Sequence, residues 1–218
     1  TVGDNDNTII VVPGANGKVD RAYIDSIKSE LEKFDMVVLQ HEIPLETVHY
    51  VIEFCYEKGI KIVLNPAPAA AVPMEIIDKV TYVTPNEHEA VLIFGDELST
   101  EDLLRKYPEK LVITQGSRGV STCLKDGRIL NIPARKAQVV DTTGAGDTLN
   151  GAFSVQIAEG KAIEDALAYA NVAASLSTEK FGAQTGMPTA EEVETALKIL
   201  NGESVEKEIP VEMELITK

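Results

Sequence analysis

The chain has 218 residues, 44% of them hydrophobic and 5% aromatic, enough to bury one sizeable core. Its 35 acidic residues against 20 basic ones give a formal net charge of −15, which repels nucleic-acid phosphates and anionic lipid heads, so neither is expected as a partner. Any phosphate-bearing ligand must then be held by local devices: backbone N–H groups, a helix N-terminus or a metal ion.

In chain order, β-branched runs predict strands over 8–12, 36–40, 61–65, 80–84 and 110–114. Amphipathic helices are predicted over 19–33, Leu45–Lys58 and 100–107, with Gly59 in place as a C-cap. Near-continuous apolar strands alternating with helices imply a mostly parallel sheet covered on both faces. Lys125-Asp126-Gly127 between two strand-like runs, 120–124 and 128–132, predicts a hairpin. The strand-like Gln138-Val139-Val140 leads into helical sequence. One helix is predicted over 146–159 with a stop at Gly160, and another over Ile163–Ser177. A third starts at Thr189, where Thr189-Ala190-Glu191-Glu192 has capping-box spacing. Residues 1–201 read as one domain. The tail over 202–218 alternates Ile209, Val211, Met213 and Leu215 with polar residues, as an edge strand or a disordered acidic tail would.

Cys55 and Cys123 form no CxxC pair and read as buried reduced thiols. No run approaches bilayer-spanning length, and the first residues lack the parts of a signal peptide, so a cytoplasmic location is expected. His41, His49 and His88 show no metal-ligand spacing.

The segment Asp141-Thr142-Thr143-Gly144-Ala145-Gly146-Asp147-Thr148 places small residues where a helix begins. Glycines at 144 and 146 let a ligand approach the backbone. The N–H groups of 144–147 would face it at the positive end of the helix. A carboxylate at 147 would repel a bound phosphate, but it suits a base that takes a proton from an attacking hydroxyl. That is the division of roles phosphoryl transfer requires. Taken alone, Asp147 also reads as an ordinary helix-start residue in a glycine turn.

GAGDTLNGAF at 144–153 with the upstream VVDTT resembles the signature of the ribokinase family of carbohydrate kinases, the PfkB group. Other family landmarks follow in order: GAN at 14–16, Glu42 in QHEIP, NPAPA at 65–69, TPNEHE at 84–89, TQGSRG at 114–119 and KFGAQ at 180–184. The resemblance runs from Thr1 to about Leu200 and implies a three-layer α/β sandwich with a mostly parallel central sheet. It also implies transfer of the γ-phosphoryl of ATP to a sugar hydroxyl, with ribose first among acceptors. Another sugar or nucleoside, as in fructokinases and adenosine kinases, and a non-catalytic nucleotide-binding fragment are the alternatives.

Position by position, the resemblance makes Asp147 the catalytic base and Gly144, Ala145 and Gly146 the anion hole. Asn86 and Glu89 match an NxxE motif that acts on Mg²⁺ and the phosphates. Without the family, Asn86 reads as a turn after a proline before a helix. Thr114, Gly116, Ser117 and Gly119 match the loop lining the ATP pocket, and Asn171 the position beside the adenine. Asp141, Thr143, Ser177, Lys180, Gly182 and Gly186 match a K⁺ site built largely from carbonyls. Glu42 matches a sugar contact at a strand end, and reads equally as a solvated loop acid. The family's first strands, its Gly-Gly motif near the sugar and its β-lid have no counterpart in these residues. The expectation is therefore an N-terminally truncated chain. It would bind nucleotide but phosphorylate ribose poorly, whereas the full-length protein would be a homodimer.

Overall fold

Alternation of apolar side chains along the strands decides the architecture. A computed structural model of the protein describes residues 2–3, 6–7 and 11–205. The elements in chain order are β1 (Val2–Gly3), β2 (Asp6–Asn7), α1 (Arg21–Leu31), β3 (Met36–Leu39), α2 (Leu45–Lys58), β4 (Lys61–Leu64), α3 (Met74–Lys79) and β5 (Tyr82–Val83). They continue with α4 (Glu87–Phe94), α5 (Thr100–Lys106), β6 (Val112–Thr114), β7 (Val120–Cys123), β8 (Ile129–Ile132), α6 (Ala145–Ala158), α7 (Ile163–Ser177) and α8 (Ala190–Leu200).

β1 and β2 form a short antiparallel pair. β3, β4 and β5 pair in parallel, with Leu39 opposite Leu64 and Leu64 opposite Val83. Parallel bridges from Val83 to Leu111 and from Asn86 to Thr114 carry the sheet on to β6. β7 and β8 then add antiparallel strands through the turn at Gly127, whose φ is +86°. The sheet thus runs β3-β4-β5-β6-β7-β8.

Successive strand residues point to opposite faces. Ile62, Leu64, Leu111 and Ile113 enter a core shared with the helices from α1 to α5, through Ile24, Ile52, Ile77 and Leu104. Their neighbours Val63 and Val112 enter a second core with Leu149 and Phe153 of α6 and Leu167 of α7. Two covered faces make the expected three-layer α/β sandwich. Phe153 is fully buried and meets Tyr82 edge-on at 5.1 Å. Burying such a ring stabilises by about 1.5–3 kcal/mol and seats α6 against the sheet.

Local signals agree with several element ends. α2 stops at Gly59, in the left-handed region at φ +70°. Thr189 and Glu192 form the capping box that opens α8. α3 has no counterpart in the predicted elements, because six residues are too few to display helical periodicity. Strand-like Gln138-Val139-Val140 is corrected: these residues form no strand. The N–H groups of Val140 and Asp141 instead donate to the Thr178 carbonyl, and both valines stay exposed. Of the strand predicted over 8–12, residues 8–10 lie outside the described residues, and Val11 and Val12 belong to no strand. The tail beyond residue 205 also lies outside them.

Cys55 and Cys123 are buried and unpaired, and burial pushes the Cys55 thiol up to about 11. Among the described residues, no helix is long and apolar enough to cross a membrane.

Candidate active site

α6 begins where a glycine permits an abrupt turn. Gly144 lies at φ +81°, and a Cβ there would stand 3.1 Å from the Ala183 carbonyl oxygen. A side chain at this position would be strained in its backbone and crowded against the loop after α7. The Ala145 N–H folds back to the Thr142 carbonyl at 3.3 Å. Among the described residues, the N–H groups of Gly146 and Asp147 have no partner, because no carbonyl one turn earlier is aligned with them. Open space lies beside Gly146. Such donors at the positive end of a 14-residue helix favour negative charge.

Asp147 is exposed in the first turn of this helix. Its Oδ1 accepts a hydrogen bond of 2.6 Å from the side-chain amide of Gln40, which lies one residue beyond β3. Gln40 also donates to Asn65 Oδ1 at 3.3 Å, and Asn65 donates to the Thr84 carbonyl at 3.1 Å. The Thr84 hydroxyl meets Asn150 Oδ1 at 2.6 Å, and Asn150 donates to the Gly146 carbonyl at 2.9 Å. Asn65 and Thr84 each follow the last residue of a parallel strand, as Gln40 does. Sequence reasoning gave Gln40, Asn65, Thr84 and Asn150 no role. The signal of the first three is a polar side chain at the carboxyl end of a parallel strand, where α/β sheets place their ligands.

A cavity of about 670 Å³ opens onto the same helix start, bounded by Ala145 and Gly146 at one end. Gly116, Ser117 and Gly119, on the loop that joins β6 to β7, line it together with Thr114 at the end of β6. Gly119 lies at φ +93°, and a Cβ there would overlap the Ile132 carbonyl oxygen and stand 2.7 Å from Ala134 N. Asn171 also lines the cavity. Its Nδ2 donates to the Pro133 carbonyl at 2.8 Å, tying α7 to the segment after β8. That segment supplies Ala134, Arg135 and Lys136 to the wall, residues no motif had singled out. Arg135 is held there by an ion pair of 2.5 Å with Glu179. Few polar groups on a mostly small and apolar lining suit a flat heterocycle with a charged tail directed at α6.

Asn86 and Glu89 satisfy each other as a capping box of α4. The Asn86 N–H donates to Glu89 Oε2 at 2.8 Å, and the Glu89 N–H donates to Asn86 Oδ1 at 2.9 Å. The Glu89 side chain is buried, and burial raises its carboxyl above the usual range against the opposing pull of the Asn86 N–H. The bridge to Thr114 sets Asn86 beside the cavity loop. His88, between them in sequence, is exposed. Glu42 is exposed two residues beyond Gln40 and has no hydrogen bond among the described residues.

The six positions matched to a cation site are brought together. Asp141 Oδ1 accepts from the Thr143 N–H and Oδ2 from the Gly182 N–H, both at 2.9 Å. Thr143, with Gly182 assisting, thereby holds the Asp141 carboxyl below the usual range. The carboxylate clamps the loop before α6 to the loop after α7. Carbonyls of Ser177, Gly182 and Lys180 converge beside buried Gly186, where a Cβ would stand 2.6, 2.8 and 3.4 Å from them. Only glycine leaves that space open. Lys180 sends its ammonium elsewhere, to Glu192 at 3.0 Å.

A family model described as pfkB family carbohydrate kinase matches residues 1–190, and the chain belongs to that family. It is 51% identical over 196 residues to the ribokinase of Bacillus subtilis (strain 168), and 48% identical over 201 residues to that of Lactococcus lactis subsp. lactis. These matches cover 90% and 92% of this chain but 66% of each relative, so the chain spans less than two thirds of their length. Among solved structures, ribokinase from Thermotoga maritima matches with a TM-score of 0.78 at 35% identity. Arabidopsis thaliana ribokinase complexed with ribose and ATP matches at 0.76 and 30%. Each covers 89% of this chain and 66% of the other, and the fold is ribokinase-like.

Proposed function

We propose that the intact protein transfers the γ-phosphoryl group of ATP to a hydroxyl of D-ribose, giving ribose 5-phosphate and ADP. One observation carries this reading. A carboxylate, Asp147, stands in the same helical turn as two N–H groups that have no partner among the described residues, one residue beyond Gly146 in the wall of a cavity sized for a nucleoside. The relatives named ribokinase, one of them complexed with ribose and ATP, support ribose as the acceptor.

In this reading the loop around Ser117, the Asn171 side of α7 and the wall at Ala134 hold the nucleoside. Its phosphates point at the start of α6. Asp147 accepts the proton of the sugar hydroxyl as that oxygen bonds to the γ-phosphorus and the bond to the ADP oxygen breaks. The N–H groups of Gly146 and Asp147 stabilise charge on the phosphoryl oxygens in flight. Such preorganised donors lower a barrier by about 3–4 kcal/mol each.

Glu89 and Asn86 offer oxygen donors beside the cavity loop, the ligand type Mg²⁺ prefers. Among the described residues there is no cluster of three acidic, His or Cys side chains able to cage a metal ion. That composition suits an ion held mainly by phosphates and water. Magnesium supplies charge neutralisation on the phosphates when bound. K⁺ fits the carbonyl cradle of Ser177, Lys180 and Gly182, next to the anion site through the Asp141 clamp. Glu42 is assigned to the sugar side. A homodimer rests on the family resemblance, and a cytoplasmic location is supported by two buried, unpaired cysteines.

ADP formation by the intact protein, measured with and without ribose and with other pentoses, hexoses and nucleosides, tests the reading. Ribose should give the largest kcat/KM. A larger value for a nucleoside or hexose would reassign the acceptor, and no sugar-dependent ADP would remove the kinase assignment.

A further inference from the structure

Four side chains between Asp147 and Gly146 close a ring of hydrogen bonds whose direction is set by its ends. Backbone carbonyls only accept. The carbonyl of Thr84 therefore fixes Asn65 with Nδ2 toward it and Oδ1 toward Gln40. The carbonyl of Gly146 likewise fixes Asn150 with Nδ2 toward it and Oδ1 toward the Thr84 hydroxyl. Gln40 then faces two acceptors on one side, Asn65 Oδ1 at 3.3 Å and Asp147 Oδ1 at 2.6 Å. Flipping its amide would set Oε1 against both oxygens, so the nitrogen must point at the carboxylate.

Burial reinforces this polarity. Thr84 is 1% exposed and Asn150 4%, so leaving either polar group unpaired would cost about 1–3 kcal/mol. Parallel register gives the row its geometry. Leu39 lies opposite Leu64, and Leu64 opposite Val83, so Gln40, Asn65 and Thr84 follow as a cross-strand rank beneath α6. Gln40 and Asp147 are 107 residues apart in sequence.

We propose that Gln40 is a positioning residue for Asp147, reserving Oδ1 so that Oδ2 is the oxygen that receives the proton of the acceptor hydroxyl. Asn65, Thr84 and Asn150 act through Gln40 and through the Gly146 carbonyl by fixing which way the amide donates. Among the described residues Oδ2 has no hydrogen bond, whereas Oδ1 is occupied. This inference rests on Asp147 being the base.

The test is a double-mutant cycle in the intact protein, with ribose-dependent ADP formation and thermal melting as readouts. Gln40→Leu should lower kcat roughly tenfold to a hundredfold, the size expected when a reacting group loses its orientation. KM for ATP should not move, since the cavity lies on the other side of α6. In the Asp147→Asn background the same Gln40→Leu change should add nothing. Equal losses in both backgrounds would show a merely structural role and overturn the proposal, as would an unchanged kcat. Near-parental turnover in Asp147→Asn alone would instead overturn the base assignment, a distinguishable outcome.

Gln40→Glu supplies a second arm should Gln40→Leu fold poorly. Its carboxyl can donate to Oδ1 only while protonated, and two carboxylates this close share one proton. Activity of Gln40→Glu should therefore recover toward acid pH, moving the optimum below the parent's. An optimum in the parental place would overturn the proposal.

Discussion

Two sides of α6 are built from different materials. Toward β6–β8 and α7 lies a walled cavity of about 670 Å³, lined by small apolar residues, a few amide and hydroxyl groups and the basic Arg135 and Lys136. Toward β3–β5 lies a rank of amides and one hydroxyl ending at an exposed carboxylate. Among the described residues β3 is the last strand on that side, and Val38 on it is 44% exposed. The first side is enclosed by residues of this chain, and the second lies open. In the proposed reaction a nucleotide needs a fitted slot, whereas a transferring phosphoryl group needs an oriented base, and the two would meet at the start of α6.

The sharpest break between the two sides comes from the 218-residue chain by itself. It should bind ATP or ADP, with Ser117, Asn171 and the start of α6 all present. Its ADP formation should be slow and independent of ribose. Holding an acceptor in line is worth about 7–11 kcal/mol, and among the described residues the acceptor side offers an exposed Glu42 and Asp147. Coupled-enzyme assays with and without ribose decide this, and a strong ribose-dependent rate would place the sugar site within these residues.

Asp147→Asn separates the sides within the intact protein. Turnover should fall by roughly a hundredfold or more, the loss expected for a general base, while nucleotide affinity by calorimetry stays near the parent's. Near-parental turnover would return Asp147 to a helix-start residue.

Gly119→Ala attacks the cavity side instead. The new Cβ adds a disfavoured φ of +93° to an overlap with the Ile132 carbonyl. Stability should drop by roughly 2–4 kcal/mol, with loss of nucleotide affinity. A parental melting temperature would mean that the β8 end yields more easily than its packing indicates.

Glu89→Gln should act least, because glutamine still offers an oxygen to the Asn86 N–H and keeps the cap. The Mg²⁺ concentration for half-maximal activity should rise, with metal-free nucleotide affinity unchanged. An unchanged titration would leave Glu89 as a capping residue. The variant also has a pH signature. The folded state raises the Glu89 carboxyl above its ordinary value of 4.5, so stability linked to it is present below that pH. That stability is lost as pH rises and the buried group ionises. Gln does not ionise, so Glu89→Gln should gain stability relative to the parent from pH 4 to pH 7. Denaturant midpoints at the two pH values measure the difference, and a constant difference would show that the buried carboxyl is not strained.

Much of the frame was legible because it follows from local rules. β-branched runs predicted β3, β4 and β6, Gly59 and Thr189 marked helix ends, and Gly144 marked the turn into α6. The strand expected at 138–140 failed since two β-branched residues in sequence do not say whether a neighbouring strand is in reach. Asn86 and Glu89 form the cap that their local pattern allows, and Asn86 bridges to Thr114 of the cavity wall; their part in holding Mg²⁺ stays a proposal.

The sequence by itself determined the strand-and-helix alternation and the glycine turn with a carboxylate in the first turn of α6, for each depends on neighbours within a few residues; of the N–H groups expected to be open at 144–147, that of Ala145 is taken by the Thr142 carbonyl. Tertiary structure alone decided that Gln40 reaches Asp147, that Arg135 pairs with Glu179 and that three carbonyls meet beside Gly186. Those contacts join residues far apart along the chain, or turns whose directions are free until packed. Their geometry comes from strand register and from how α6 and α7 lie on the sheet, and neither is written in any local pattern of residues.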